Sequence, residues 1–94
     1  MKSIILCATP SGRAVVYGRV ESDPVPGEPV KLYDARMILR WDAECGGLFG
    51  LAASGPKGDT RITASIPETV ATEWAQYLAV TDEAAKKIAA WEAV

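Results

Sequence analysis

Read as a pattern of apolar and polar positions, the chain opens on an unbroken apolar run within Ser3–Ala8 that is rich in isoleucine. Such a run predicts a buried strand. A turn follows, in which Pro10 pre-sets φ for the second position and Gly12 suits the fourth place of a type I turn. Ala14–Val20 is the return strand, with Val16, Gly18 and Val20 on one face and Val15, Tyr17 and Arg19 on the other. Glycine weakens a strand unless something approaches closely, so Gly18 predicts a bulge or a tight contact.

The next break, Ser22–Pro29, carries Pro26-Gly27, a pair that fits the centre of a type II turn. "VKLYDA" and "RMILRW" then read as a strand and its continuation, bent near Asp34. In the second piece Met37, Leu39 and Trp41 share one face, and Arg36, Ile38 and Arg40 the other. Asp42 is placed to cap a helix start, Gly46-Gly47 delay it, and Leu48–Ser54 make about two turns. Gly55 supplies a left-handed position after that helix, and Pro56 forbids its continuation.

Thr60–Ile66 alternates, with Ile62, Ala64 and Ile66 on one side, and Pro67 is expected to stop it. The following segment fits two periods. Val70, Trp74 and Leu78 recur at helical spacing, whereas Thr72, Trp74, Gln76, Leu78 and Val80 alternate; strand is preferred for Glu73–Val80. Thr81 then caps a helix whose first residues, Asp82 and Glu83, oppose the positive end of its dipole. Ala84, Ile88 and Trp91 form one narrow apolar stripe, so this helix should lie flat on a sheet or on a neighbouring subunit. The sum is an α+β fold in a single domain, residues 1–94: a small, mostly antiparallel sheet with a short central helix and a C-terminal helix.

Composition narrows the chemistry. With 94 residues there is room for one domain, and an apolar fraction of 49% is enough for a core. Chains this short bury a modest fraction of their surface, and oligomerisation is a common remedy, so a homo-oligomer is expected. The net charge of −2 is spread along the chain. No run is basic enough for a nucleic-acid footprint, and nucleic acid is not an expected partner. The apolar run Ile4–Ala8 is too short for a signal-peptide core or a membrane span, so the reading is cytoplasmic, with Cys7 and Cys45 as reduced thiols. The chain has no histidine. That removes histidine-activated nucleophiles and histidine-based metal sites, and two isolated cysteines cannot close a zinc site. No enzyme, metal or cofactor is expected.

The segment Ser54–Arg61, "SGPKGDTR", poses the sharpest chemical question. A P-loop needs backbone N–H groups that wrap phosphate, but Pro56 has none to give, and the loop follows a helix and precedes a strand, the reverse order. Turn chemistry explains its glycines and leaves Lys57 and Arg61 over, as solvated surface or as anion contacts. Arg36 and Arg40 raise the same alternatives, since with Tyr33 and Trp41 nearby they suit a planar, stacking anion or base site. Asp42 and Glu44 read as loop or capping residues rather than an acid/base pair. Trp74 and Trp91 read as core.

Taken in order, "LYDARMILRW", "GLFGLAASGPKGDTRIT" and "TDEAAKKIAAW" resemble a family of short uncharacterised β-rich proteins encoded by phages and prophages, over Ile4–Trp91. The resemblance implies a setting, the cytoplasm of a host cell, and no mechanism. Small phage proteins often act by binding, some as sponges for nucleotide immune signals and others by blocking a defence protein. The first expectation is therefore a non-enzymatic counter-defence oligomer holding an anionic small ligand, a nucleotide being one candidate, with Arg36, Arg40, Lys57 and Arg61 as contacts and Tyr33 or Trp41 stacking. The alternative is a protein–protein inhibitor of a host protein, or an assembly module, with no small ligand.

Overall fold

The apolar runs pair into one six-stranded sheet. A computed structural model describes residues 1–8 and 14–94, and the turn expected at Pro10 and Gly12 lies outside the described residues. The strands are β1 (Lys2–Cys7), β2 (Val15–Val20), β3 (Val30–Arg40), β4 (Arg61–Ile62), β5 (Ile66–Ala71) and β6 (Gln76–Ala79). A 3-10 turn (Ala43–Cys45) leads into helix α1 (Gly47–Ser54), and α2 (Asp82–Ala90) follows β6. The fold is α+β with one central and one C-terminal helix. Every strand pairing is antiparallel. The order is β4-β3-β2-β1-β6, and β5 continues along the edge of β3 that β4 begins.

The pivot of the sheet is an extra residue in β3. Tyr17 pairs with Arg36 and Arg19 with Tyr33, so two steps on β2 face three on β3. Asp34 takes up the surplus in a left-handed conformation, φ 50°, which aspartate tolerates better than most residues. One inserted residue exchanges the two faces of everything beyond it. Val30, Leu32 and Ala35 therefore share one core, while Ile38 belongs to the other. Gly18 lies opposite this bulge. A Cβ there would sit 2.7 Å from Leu32 Cβ, so the tight contact expected of Gly18 is real.

Two apolar cores flank the sheet. Ile5, Val15, Tyr17, Ile38 and Ile62 meet Leu51 and Ala52 of α1 and Ile88 of α2, with Trp41 and Trp91 packed at the margin. Burying each of these aliphatic side chains stabilises the fold by about 1.5–3 kcal/mol. Thr81 joins the helices: its hydroxyl caps α2 by accepting from Ala84 N and donates to Ala53 O at the end of α1. On the opposite face Ile4, Leu6, Val20, Val30 and Leu32 pack beneath Trp74 and Tyr77.

That second core exists because the sheet curls. In a flat sheet, four strand spacings of roughly 4.8 Å would set β5 and β6 about 19 Å apart. The chain from Ala71 to Gln76 spans at most ~18 Å fully stretched, and it is bent rather than stretched. The edges must therefore approach each other, and the connection carries Trp74 across the concave face. Its indole N–H donates to Glu28 O at 2.9 Å, and its ring meets Tyr77 edge-on at 5.9 Å.

Two expectations change. Thr60–Ile66 is not one strand, since only Arg61 and Ile62 pair as β4, and β5 runs through Pro67 instead of stopping there. Proline is admissible because β5 is an edge strand, where a missing N–H costs no ladder bond. Of the segment 73–80, only Gln76–Ala79 is strand, and Trp74 belongs to the crossing connection. Cys7 and Cys45 are both unpaired thiols.

Replacing Gly18 with alanine should destabilise the protein by about 1–3 kcal/mol through overpacking. The loss, read from urea unfolding midpoints, should shrink when Leu32 is also cut to glycine, which removes the contacting Cβ, and only in part when it is cut to alanine, which keeps it.

Candidate functional site

The six residues singled out for ligand binding are dispersed by β3. Because the bulge exchanges its faces, Arg36 turns under the helices and is only 5% exposed. Its Nε donates to Thr63 O at 2.7 Å, Nη2 to Trp91 O at 2.8 Å, and Nη1 to Ile88 O and, at 3.4 Å, to Ala89 O. Three of these carbonyls stand at or just beyond the end of α2, where a helix leaves its last carbonyls unpaired and its dipole is negative. Arg36 is thus a C-terminal cap supplied by a strand. Burial pulls its pKa below the ordinary value.

Arg40 and Arg61 do come together, as cross-strand partners on β3 and β4. Both are exposed and share one carboxylate, Asp59, at 3.7 and 3.6 Å. Lys57 is exposed two residues earlier. Tyr33 stands seven residues from Arg40, roughly 23 Å along the strand, donates to Glu21 at 2.8 Å, and has Lys31 Nζ 5.9 Å from its ring. Trp41 packs against the helix-side core. Arg36 lies inside, the Arg40–Arg61 pair at one end of β3, and Tyr33 at the other.

The loop Ser54–Arg61 has its own internal anion. The Asp42 carboxylate accepts from Asp59 N and from Glu44 N, both at 2.9 Å. These backbone bonds, with Arg40 nearby, hold its carboxyl below the usual range. Thr60 Oγ1 donates to Lys57 O at 2.6 Å and closes the loop, and the Trp91 indole donates to Thr60 O at 2.8 Å. One loop donor that a phosphate cradle would offer outward, Asp59 N, is turned inward onto Asp42. Among the described residues no group of three potential metal ligands gathers, and no helix is long and apolar enough to cross a membrane.

A different surface stands out on the concave side. Beyond the bulge the odd-numbered residues of β3 face the cavity side of the curled sheet, so Met37 and Leu39 are 42% and 53% exposed there. Ile66, paired with Ala35 and facing the same way, is 50% exposed. A groove of about 510 Å³ opens beside them, with Val16, Leu32 and Met37 along its floor and Thr69 and Thr72 on one wall. That wall is β5, which pairs with β3 and with no other strand among the described residues. Val70, which also lines the groove, is 50% exposed. The run "IPETVA" carries the signal that would have revealed this edge: β-branched residues with a proline near the start.

Residues 1–88 match one family over most of the chain. The chain belongs to the DUF6948 family. The family is described as a domain of unknown function. No curated protein and no solved structure matches the chain. For this DUF6948 protein, then, the geometry just described is what bears on function. The match stops at Ile88, the first of the helix-end carbonyls that Arg36 holds.

Arg36→Ala should cost about 3 kcal/mol, because it strips buried carbonyls of their donors. Arg40→Ala and Arg61→Ala should each stay within about 0.5 kcal/mol, as exposed positions do. Denaturant unfolding of the three variants side by side checks the contrast. Asp42 contributes with a defined sign: its folded pKa is depressed, so its stabilisation is present above the unfolded value near 4 and is lost as pH falls through the folded one. Asp42→Asn should therefore flatten the stability profile on the acid side, below about pH 4.

Proposed function

We propose that this protein is a non-enzymatic assembly module in which two copies join edge to edge through β5. The observation that carries the reading is an edge strand that keeps two aliphatic side chains, Ile66 and Val70, half exposed. Monomeric proteins blunt such edges with lysine, proline or a covering element. Here Pro67 guards only the start of β5, and Glu68 is answered by Lys31 at 3.6 Å on the neighbouring strand.

Pairing β5 with its own copy, antiparallel about a twofold axis, satisfies the free backbone groups of both edges and continues the sheet into the second subunit. A stable interface takes roughly 800 Å² from each partner, more than a six-residue edge supplies. The concave strip of Met37, Leu39 and Ile66 adjoins that edge and supplies the remaining apolar contact. The absence of histidine in the sequence supports a role without catalysis.

This is the assembly alternative of the two expectations. The other, a nucleotide held by Arg36, Arg40, Lys57 and Arg61, has no single place where those groups meet. The phage or prophage setting remains what the resemblance implies, and the assembly reading does not draw on it.

Light scattering between about 5 and 500 µM should give a dimer mass. Val70→Lys and Met37→Lys should each shift the species to monomer at least tenfold in dissociation constant, with unchanged circular dichroism. A wild-type protein that stays monomeric across that range overturns the proposal. So does a dimer indifferent to both substitutions.

A further inference from the structure

Arg36 has a second property, independent of how copies assemble. It is a buried cation with no carboxylate within ion-pair distance among the described residues; the ion pairs of the fold lie elsewhere. Its charge is offset only by carbonyl dipoles. The end of α2 supplies the equivalent of about half a negative charge, so roughly half a positive charge is left over. A buried charge without a full counter-charge is costly.

A guanidinium has five N–H donors. One goes to Thr63 O, two from Nη1 to Ile88 O and Ala89 O, and one from Nη2 to Trp91 O. One Nη2 donor has no protein acceptor. Arg36 lines a hollow of about 380 Å³ together with Tyr17, Arg19, Asp34, Ser65, Ala89 and Trp91. Within it Asp34 is already answered by Arg19 in an ion pair. Ser65 is exposed and its hydroxyl makes no hydrogen bond to the described residues.

We propose that this hollow is a binding site for a small carboxylate, which accepts from the remaining Nη2 donor of Arg36 and from the Ser65 hydroxyl. The charge selects the ligand class. A singly charged carboxylate exceeds the residual positive charge by about half a unit, whereas a dianionic phosphate would exceed it by about one and a half and meet more repulsion from Asp34. The size agrees, since the volume falls at the small end of ordinary ligand pockets. The carboxylate can belong to a free small acid or to the C-terminus of a peptide.

NMR titration separates these sources and tests the site. Acetate, N-acetylglycine and phosphate are each added against chloride at matched ionic strength, reading the Arg36 Nε–H and Ser65 amide resonances. Both resonances should shift saturably with acetate, at least tenfold more tightly than with phosphate. Equal or tighter saturation by N-acetylglycine assigns the site to a peptide terminus, and binding of acetate alone to a free acid. Ser65→Asp, at a position with no packing role, should place a carboxylate in the hollow, abolish the acetate response and raise the melting temperature. Ser65→Ala, which removes one of the two donors, should weaken acetate binding severalfold without raising the melting temperature. Shifts that are linear and equal in chloride overturn the proposal, as does phosphate binding as tightly as acetate. An undiminished acetate response in Ser65→Asp overturns it too.

Discussion

The architecture depends on one surplus residue in β3. Without the left-handed step at Asp34, Arg36 and Ile38 would face the same side as Leu32, and the helices would find Met37 and Leu39 beneath them. With it, the first half of β3 feeds the concave core and the second half feeds the helix-side core. Gly18 makes room for this exchange, because the strand carrying Leu32 comes too close for any side chain there. Steric clearance at one position thus decides which residues are inside at several others.

Arg36 shows what the exchange achieves. A strand residue reaches the end of a helix more than fifty positions later in the chain and gathers carbonyls that the helix cannot pair for itself. The same guanidinium holds Thr63, where the chain passes from β4 towards β5. Three parts of the fold are tied by one planar group, for which lysine, a single point of charge, is no equivalent. A charged side chain that looks like surface in the sequence becomes the most connected polar group in the interior.

Much of the framework was legible from local signals. The caps at Asp42 and Thr81, the turn around Gly27, the bend near Asp34 and the apolar stripe of α2 all follow from short-range chemistry. The cation site was not legible, and the reason is physical. Alternation tells which residues of a strand share a face, as it did for Arg36 and Ile38 though not for Arg40, which lies past a second register shift, but not which face is covered. That was settled by a bulge and by a helix end brought from far along the chain. The division of residues 60–80 failed for a related reason. Pro67 reads as a stop only if the strand has neighbours on both sides, and β5 has one among the described residues.

The connection across the concave face has a quieter consequence. Since the bend of the sheet is held by the few residues between β5 and β6, its curvature is set by a tether more than by the strands themselves. Lengthening that tether by even a couple of residues would let the sheet flatten and lift Trp74 off the core residues it covers. Indels there would act on the shape of the whole molecule, as they would not in an ordinary surface loop.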